Sequence, residues 1–234
     1  EATGGVEHSV LAERIDGGAH GGGRVVQVGG GDQQLGDVGA QLGVGGAVLG
    51  PLEAAEQHLV VGDGDLAAIG GNHFIHACRR NIDITVVCMN NHIYGMTGGQ
   101  GSPTTPLGKT STTTPYGAVE TPFDLVELAI AAGANYVARW TSYHVKQLTD
   151  AVLAGLNNPG FSLVEVRCQC PTSYGRRNRY REPTDYINYL KSNAILKEKW
   201  ERTAAPGQKL PGESFLVGEF VKRDRPVTGV PDET

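Results

Sequence analysis

The sequence predicts an α/β protein with a doubly wound, mostly parallel sheet. From about residue 57 onwards, short apolar runs alternate with segments of helical periodicity, and this alternation is typical of βαβ units. The run IDITVVCM at residues 82–89 is almost continuously apolar, as expected for a strand that is covered on both faces. Residues 65–89 have the length of a crossover helix and a returning strand.

The predicted elements follow one another in chain order. A strand at Gln57–Gly62 is followed by a helix over residues 66–80, which has a rough apolar face. Thr121 is expected to cap a later helix that has Pro122 in its first position and ends at Gly133. The other predicted elements are strands over residues 82–89, 136–140 and 162–167, a helix over residues 143–156 and a polar helix over residues 185–202.

The beginning of the chain differs in composition from the rest. The first fifty residues hold 16 of the 34 glycines and contain no lysine, proline or aromatic residue. Such a segment buries little apolar surface. It is either a Gly-rich linker or a stretch that is not the native sequence, such as an out-of-frame translation. We therefore expect residues 1–56 to be irregular and without function, residues 57–205 to form the α/β domain, and residues 206–234 to form a C-terminal tail.

The composition restricts the partners and the location. A formal charge of −5 and a pI near 5.8 argue against nucleic acid or an anionic membrane as the main partner. No apolar run approaches the roughly 20 residues that span a bilayer, and the N-terminus lacks a basic-then-apolar signal pattern. These observations predict a cytoplasmic protein. The four cysteines are too few for a disulfide scaffold in 234 residues.

Polar residues follow the first two predicted strands where each one ends. GDGD occupies residues 62–65, and Asn91 follows the next apolar run. Because consecutive parallel strands end at the same edge, Asp63 and Asn91 should lie close together. Gly62 and Gly64 allow backbone N–H groups to approach an anion, and a carboxylate beside that anion requires a cation with a preference for oxygen ligands, such as Mg²⁺. The pattern predicts a Mg²⁺-diphosphate site, with two ordinary turns as the alternative.

Several longer sequence motifs accompany this pattern along the chain. They are GDG at residues 62–64, NNHIYGMTGGQ from Asn90, SPTTPLGKTSTTTPYG from Ser102 and CPTSYGRRN from Cys170. Over residues 59–178, the chain resembles the β subunit of 2-oxoacid:ferredoxin oxidoreductases, most closely the 2-oxoglutarate type. The resemblance implies a sheet of the thiamine diphosphate-binding type and an enzyme of the 2-oxoglutarate synthase type, active only together with its α subunit.

The resemblance also implies a role for individual residues. Asp63, the side chain of Asn91 and the backbone carbonyl of Ile93 would hold Mg²⁺. The residues that would line thiamine diphosphate or close over it are Gly62, Gly64, Asp65, Thr97, Gly98, Gly99 and Gln100. In this family the glutamate that activates the aminopyrimidine comes from the α subunit, so no catalytic carboxylate is assigned to this chain.

The family's reaction is the oxidative decarboxylation of a 2-oxoacid, with coenzyme A as the acyl acceptor and ferredoxin as the electron acceptor. Lys109 lies in the loop after the cofactor motif. It is either a partner for the distal carboxylate of the substrate or a solvated loop lysine. The basic run GRRNRYR at residues 175–181 is interpreted as a solvated loop or a ferredoxin-docking surface rather than an RNA site.

The chain departs from the family at its iron–sulfur cluster. Cluster-containing members carry three cysteines before the GDG motif, whereas residues 1–58 contain none. Cys170 matches a fourth ligand position, but a [4Fe–4S] cluster usually requires four thiolates. Two alternatives remain open, namely a pyruvate-type relative and a truncated or damaged subunit without turnover. Non-oxidative thiamine decarboxylases share GDG and NN, but they are not expected to carry CPTSYGRRN.

Overall fold

The computed structural model describes residues 25–27 and 57–228. The strands in these residues are β1 (Val25–Gln27), β2 (Gln57–Gly62), β3 (Ile84–Asn90), β4 (Ile93–Tyr94), β5 (Gln100–Gly101), β6 (Tyr136–Thr141), β7 (Ser162–Arg167), β8 (Ala194–Leu196) and β9 (Phe215–Lys222). The α-helices are α1 (Gly71–Arg80), α2 (Leu125–Ala132), α3 (Val145–Leu156), α4 (Pro183–Asn193) and α5 (Lys197–Thr203). No helix in the described part of the chain has the length and apolar character needed to cross a membrane.

Seven strands form one sheet in the order β1-β2-β3-β7-β6-β9-β8. The first five strands in this order, β1, β2, β3, β7 and β6, are all parallel to one another. Strand β9 is antiparallel to β6, and β8 is parallel to β9. Strands β4 and β5 form a separate antiparallel hairpin. The predicted α/β fold with a mostly parallel sheet is confirmed.

Helices cover both faces of the parallel part of the sheet, as a doubly wound fold requires. Leu163 of β7 packs in a buried cluster with Phe74 of α1 and Ala129 of α2. The next residue, Val164, belongs to a second cluster with Ala151 of α3. Since successive side chains of a strand point to opposite faces, the two clusters lie on opposite sides of the sheet. This arrangement explains why the central strands read as continuous apolar runs.

Three residues of the Gly-rich segment belong to the sheet. Val25–Gln27 form β1, which pairs in parallel with β2. The other residues of that segment, 1–24 and 28–56, lie outside the described residues, and the expectation that they carry no function stays a prediction.

The predicted helix over residues 66–80 is divided in the structure. Asp65–Ile69 form a single π-helical turn, in which the Gly70 N–H donates to the Asp65 carbonyl at 2.9 Å, and α1 begins only at Gly71. Two consecutive glycines favour a break because glycine has a low helix propensity. The next strand also begins later than predicted, at Ile84 rather than at residue 82.

The predicted start of the following helix at Thr121 and Pro122 is wrong. Helix α2 begins at Leu125, and its N-cap is Asp124, whose Oδ1 accepts the backbone N–H groups of Val126 and Glu127 at 3.0 Å. A carboxylate is a strong N-cap and also suits the positive end of the helix dipole. The predicted end is correct, because Gly133 is the C-cap with φ 94°.

The C-terminal third contains more strand than predicted. The single polar helix over residues 185–202 is replaced by α4, strand β8 and helix α5. Residues 206–234 were expected to be a tail, yet Phe215–Lys222 form β9 between β6 and β8. The short apolar sequence Ala194–Leu196 becomes a strand because β9 offers it a hydrogen-bonding edge, which local periodicity does not reveal.

Candidate functional site

The register of the sheet places the GDGD and NN motifs side by side. Gly62 at the end of β2 lies opposite Met89 of β3, and Asn90 at the end of β3 lies opposite Arg167 of β7. Asp63 and Asn91 therefore leave the same edge of the sheet. The backbone N–H of Asn91 lies 3.3 Å from Asp63 Oδ1, so the predicted proximity of these two residues is confirmed.

Asp63 is a buried carboxylate without a cationic partner among the described residues. Its side chain is 1% exposed. Oδ2 accepts the hydroxyl groups of Ser102 at 2.6 Å and Thr104 at 2.5 Å. Burial raises the pKa of Asp63, while the hydrogen bonds from the two hydroxyl groups and from Asn91 oppose this change. A carboxylate buried in this way gains from a bound cation, which supplies the missing counter-charge.

The turn after β3 is held in an uncommon conformation. His92 has a φ of 63°, in the left-handed region, and its N–H donates to Asn90 Oδ1 at 3.1 Å. Asn91 Oδ1 accepts the Ile93 N–H at 3.0 Å. His92 Nδ1 lies 3.0 Å from the Thr104 carbonyl and donates to it, because a carbonyl oxygen only accepts. Burial, together with the Arg167 charge, lowers the pKa of His92 to about 3, so the ring is neutral.

Several glycines of the predicted cofactor loop are required by the geometry. A Cβ atom on Gly64 would lie 2.2 Å from the Tyr94 ring, and the Tyr94 hydroxyl lies 3.3 Å from the Gly64 carbonyl. Gly98 and Gly99 have φ values of 126° and 83°, which favour glycine. In the same loop the Thr97 hydroxyl donates to Gln100 Oε1 at 2.8 Å.

A buried ionic network lies beside this site. Asn90 Nδ2 donates to Glu165 Oε1 at 2.7 Å, and Arg139 Nε donates to Glu165 Oε2 at 2.6 Å. Arg139 Nη2 also contacts Asp124 Oδ1 at 2.6 Å. Burial alone would raise the pKa of Glu165, but the Arg139 charge holds it below its ordinary value. The sequence carried one signal of this network, namely charged residues within the apolar strands YVARWT and SLVEVR.

Lys109 borders a cavity of about 470 Å³ at the same edge of the sheet. Asn90, His92 and Thr104 also line this cavity. The Lys109 ammonium forms an ion pair with Glu213 Oε1 at 2.8 Å. Lys109 is thus neither free nor fully solvated, and its assignment to the substrate stays a prediction.

The residues at the two strand ends fit a magnesium ion. Asp63 supplies a carboxylate, Asn91 an amide oxygen and Ile93 a backbone carbonyl, and all three are oxygen donors of the type that Mg²⁺ prefers. Asp63 Oδ1 accepts the Asn91 N–H at 3.3 Å, whereas Oδ2 accepts two short hydrogen bonds from hydroxyl groups. Asp63 Oδ1 is therefore the carboxylate oxygen that can bind a cation.

The cysteines do not fit a four-thiolate iron–sulfur cluster. All four cysteines of the sequence lie within the described residues and are buried. Cys78 and Cys88 belong to the core cluster of α1 and α2. Burial raises the pKa of Cys78 and Cys168 to about 12. No group of three or more His, Cys, Asp or Glu side chains that could hold a metal occurs in the part of the chain that the structure describes.

The fold and the motifs at its edge define a thiamine diphosphate-binding domain. The family model described as "Thiamine pyrophosphate enzyme, C-terminal TPP binding domain" matches residues 31–166. The chain belongs to this family.

Its relatives include subunits of 2-oxoacid oxidoreductases. The chain is 56% identical to 2-oxoglutarate synthase subunit KorB of Methanocaldococcus jannaschii over 173 residues, which are 73% of this chain and 63% of that protein. The 2-oxoglutarate oxidoreductase subunit KorB of Mycobacterium tuberculosis is 46% identical over 113 residues, 48% of this chain and 30% of that protein. The chain thus spans less than two thirds of the length of these relatives.

A solved structure is similar as well. It is the 2-oxoglutarate:ferredoxin oxidoreductase from Magnetococcus marinus with 2-oxoglutarate, coenzyme A and succinyl-CoA bound. The match has a TM-score of 0.59 and 30% identity, and it covers 72% of this chain and 57% of that one. These similarities agree with the family resemblance indicated by the motifs GDG, NNHIYGMTGGQ, SPTTPLGKTSTTTPYG and CPTSYGRRN.

Proposed function

We propose that this chain is the β subunit of a 2-oxoglutarate:ferredoxin oxidoreductase and holds Mg²⁺-thiamine diphosphate at the carboxyl edge of its sheet. One observation carries the proposal, namely the buried Asp63 carboxylate, which has no cationic side chain as a partner among the described residues and lies beside Asn91 at the ends of β2 and β3. The similarity to the 2-oxoglutarate synthase and oxidoreductase subunits supports the choice of reaction.

The chain's own residues would bind and orient the cofactor. Asp63, the Asn91 side chain and the Ile93 carbonyl hold Mg²⁺. The GDGD turn would bind the diphosphate, and the loop of residues 97–100 would line the cofactor. The residues assigned to the cofactor are Gly62, Asp63, Gly64, Asp65, Asn91, Ile93, Thr97, Gly98, Gly99 and Gln100. When bound, thiamine diphosphate supplies the carbanion and the electron sink for decarboxylation of a 2-oxoacid.

Other components complete the reaction. The partner α subunit provides the activating glutamate, coenzyme A accepts the acyl group, and ferredoxin accepts the electrons. The cofactor-binding domain in this proposal extends beyond the predicted residues 57–205, because β1 and β9 belong to its sheet. No step is assigned to an iron–sulfur cluster of this chain, because its cysteines do not fit one.

Substitution of Asp63 tests the proposal directly. In the complex of the full chain with its partner subunit, Asp63→Ala should weaken Mg²⁺-dependent binding of thiamine diphosphate by more than about a hundredfold, because loss of even a second-shell partner costs roughly 10–100-fold. Calorimetry at saturating and limiting Mg²⁺ measures this effect. Asp150→Ala is the matched control, since Asp150 is exposed on α3 and pairs with Lys146 there. Unchanged cofactor affinity in Asp63→Ala, with the fold intact by circular dichroism, would refute the assignment.

A further inference from the structure

The two oxygens of the Asp63 carboxylate have different surroundings. Oδ2 lies 2.5 Å from the Thr104 hydroxyl and 2.6 Å from the Ser102 hydroxyl, whereas the contact of Oδ1 with the Asn91 N–H is longer, at 3.3 Å. Charge-assisted hydrogen bonds of 2.5–2.7 Å are strong. The carboxylate is therefore held in place through Oδ2, and Oδ1 makes the weaker hydrogen bond.

The direction of these hydrogen bonds follows from the groups around them. Thr104 has one hydroxyl proton, and its oxygen also lies 3.0 Å from Asn90 Oδ1. Asn90 Nδ2 donates to Glu165, so the other end of the amide is an oxygen, and that oxygen already accepts the His92 N–H. The Thr104 proton consequently goes to the charged acceptor, Asp63, because a hydrogen bond to a carboxylate is the stronger one.

Thr104 is itself held in place by the turn after β3. The neutral His92 ring donates through Nδ1 to the Thr104 carbonyl at 3.0 Å. The next residue, Thr105, donates its hydroxyl to the His92 carbonyl at 2.7 Å and accepts the Ser102 N–H at 2.8 Å. Thr104 and Thr105 are 2% and 5% exposed. The segment that carries both hydroxyl groups is thus anchored to the strand end that carries Asn91.

We propose that Thr104 and Ser102 are positioning residues for the metal carboxylate, which hold Asp63 Oδ2 so that Oδ1 is directed to the cation. The inference rests on the proposed function. The clamp consists of the Ser102 and Thr104 hydroxyl groups, which donate hydrogen bonds to the metal-ligating carboxylate of Asp63. Such partners of a ligating carboxylate orient it and raise its affinity for the metal. The clamp is supplied by the SPTT sequence at residues 102–105, outside both strand-end motifs.

The affinity for Mg²⁺ provides the first test. In the complex of the full chain with its partner subunit, Thr104→Val should raise the Mg²⁺ concentration required for thiamine diphosphate binding by roughly tenfold, and the Ser102→Ala/Thr104→Val double variant by roughly a hundredfold. Thr104→Ser keeps the hydroxyl group and should restore the affinity. The measurement is calorimetric titration of the cofactor at a series of Mg²⁺ concentrations.

Thr85→Val is the matched control for stability. Thr85 is also a buried threonine, 5% exposed, and it loses its own hydrogen bond to the Gly155 carbonyl on substitution, but it belongs to β3 and does not contact Asp63, Ser102 or Thr104 through its hydroxyl group. It should lower the melting temperature to a similar extent as Thr104→Val while leaving the Mg²⁺ requirement unchanged. Equal shifts of the Mg²⁺ requirement in both variants would show that the effect is only structural and would overturn the inference.

A second measurement does not depend on cofactor binding. In crystal structures of the metal-free full chain, the Ser102→Ala/Thr104→Val variant should show the Asp63 carboxylate rotated away from its wild-type orientation. An unchanged carboxylate would overturn the inference. Wild-type Mg²⁺ affinity in the double variant, with affinity lost in Asp63→Ala, would also overturn it but would leave the proposed function intact. Absence of cofactor binding in the wild type would instead count against the proposed function.

Discussion

Two buried carboxyl groups have pKa values that are shifted in opposite directions, because their neighbours differ. Asp63 and Glu165 are each 1% exposed. Burial raises the pKa of Asp63, and only neutral donors oppose this change. For Glu165 the effect of burial is outweighed, chiefly by the Arg139 charge, and the pKa is lowered. Glu165 is thus a structural ion-pair partner, whereas Asp63 has the environment of a ligand for an added cation.

Lys109 leads to a prediction about substrate choice. 2-Oxoglutarate differs from pyruvate by a distal carboxylate, and Lys109 is a cation lining the cavity beside Asn90 and Thr104. Lys109→Ala removes one charge-assisted hydrogen bond, worth about 1.5–3 kcal/mol. We expect a loss in kcat/KM of roughly ten- to a hundredfold for 2-oxoglutarate and little change for pyruvate.

The measurement is steady-state kinetics with both substrates in the complex with the partner subunit. Lys146→Ala is the control, because Lys146 lies on the exposed surface of α3. Equal losses on both substrates would assign Lys109 to the cofactor or the loop. No loss at all would mean that its ion pair with Glu213 is its main role.

At the scale of elements, the ionic network joins three strands to one helix. Asn90 of β3 and Arg139 of β6 both contact Glu165 of β7, and Arg139 continues to Asp124 at the start of α2. The cross-strand pairing of Arg139 with Glu165 is set by the parallel register of β6 and β7. Removing one partner of a buried pair costs about 3–5 kcal/mol, because the other charge stays buried.

We therefore expect Glu165→Gln to lower the free energy of unfolding by about 3–5 kcal/mol at neutral pH. Because the folded-state pKa of Glu165 lies below its ordinary value of 4.5, the ionised group stabilises the fold above that pH. This contribution is lost as the pH falls through the folded-state pKa. The difference in the free energy of unfolding between the wild type and Glu165→Gln should therefore become smaller as the pH falls.

Urea denaturation at neutral pH and at about pH 4 or below measures this dependence. Glu201→Gln is the control, since Glu201 forms an exposed ion pair with Lys197 on α5 and should change stability by less than about 1 kcal/mol. A difference between wild type and Glu165→Gln that does not depend on pH would exclude the proposed protonation behaviour.

At the scale of the whole molecule, the cysteines within the described residues do not form a group of three or more that could hold a metal. Cys78 and Cys88 lie in the core between the sheet and α1, while Cys170 packs in a separate cluster with Tyr174 and Tyr186. A [4Fe–4S] cluster needs four convergent thiolates. We therefore expect the purified full chain to lack the broad visible absorption of an iron–sulfur centre.

Anaerobic reconstitution with iron and sulfide, followed by quantification of both, checks this expectation. Cys170→Ser serves as the comparison and should give the same spectrum as the wild type. Stoichiometric iron and sulfide in the wild type, lost in Cys170→Ser, would show that Cys170 takes part in a cluster.

Local sequence determined much of this protein. Strands Gln57–Gly62 and Ser162–Arg167 have the predicted bounds, because buried parallel strands need continuous apolar runs. The approach of Asp63 to Asn91 also followed from the sequence, since βαβ connectivity brings consecutive strand ends to one edge. The wrong start of α2 shows the limit of local signals, because Asp124 gains a second partner in Arg139 that Thr121 lacks.

Only the tertiary structure decided which distant side chains meet. The hydroxyl groups of Ser102 and Thr104 contact Asp63 across about forty residues of chain, and β9 enters the sheet from a segment expected to be a tail. The pairing of Glu165 with Arg139 and Asn90 likewise depends on the register of three strands. Hydrogen bonds and ion pairs of this kind are set by the packing of whole elements, and residues far apart in sequence leave no periodic pattern that predicts them.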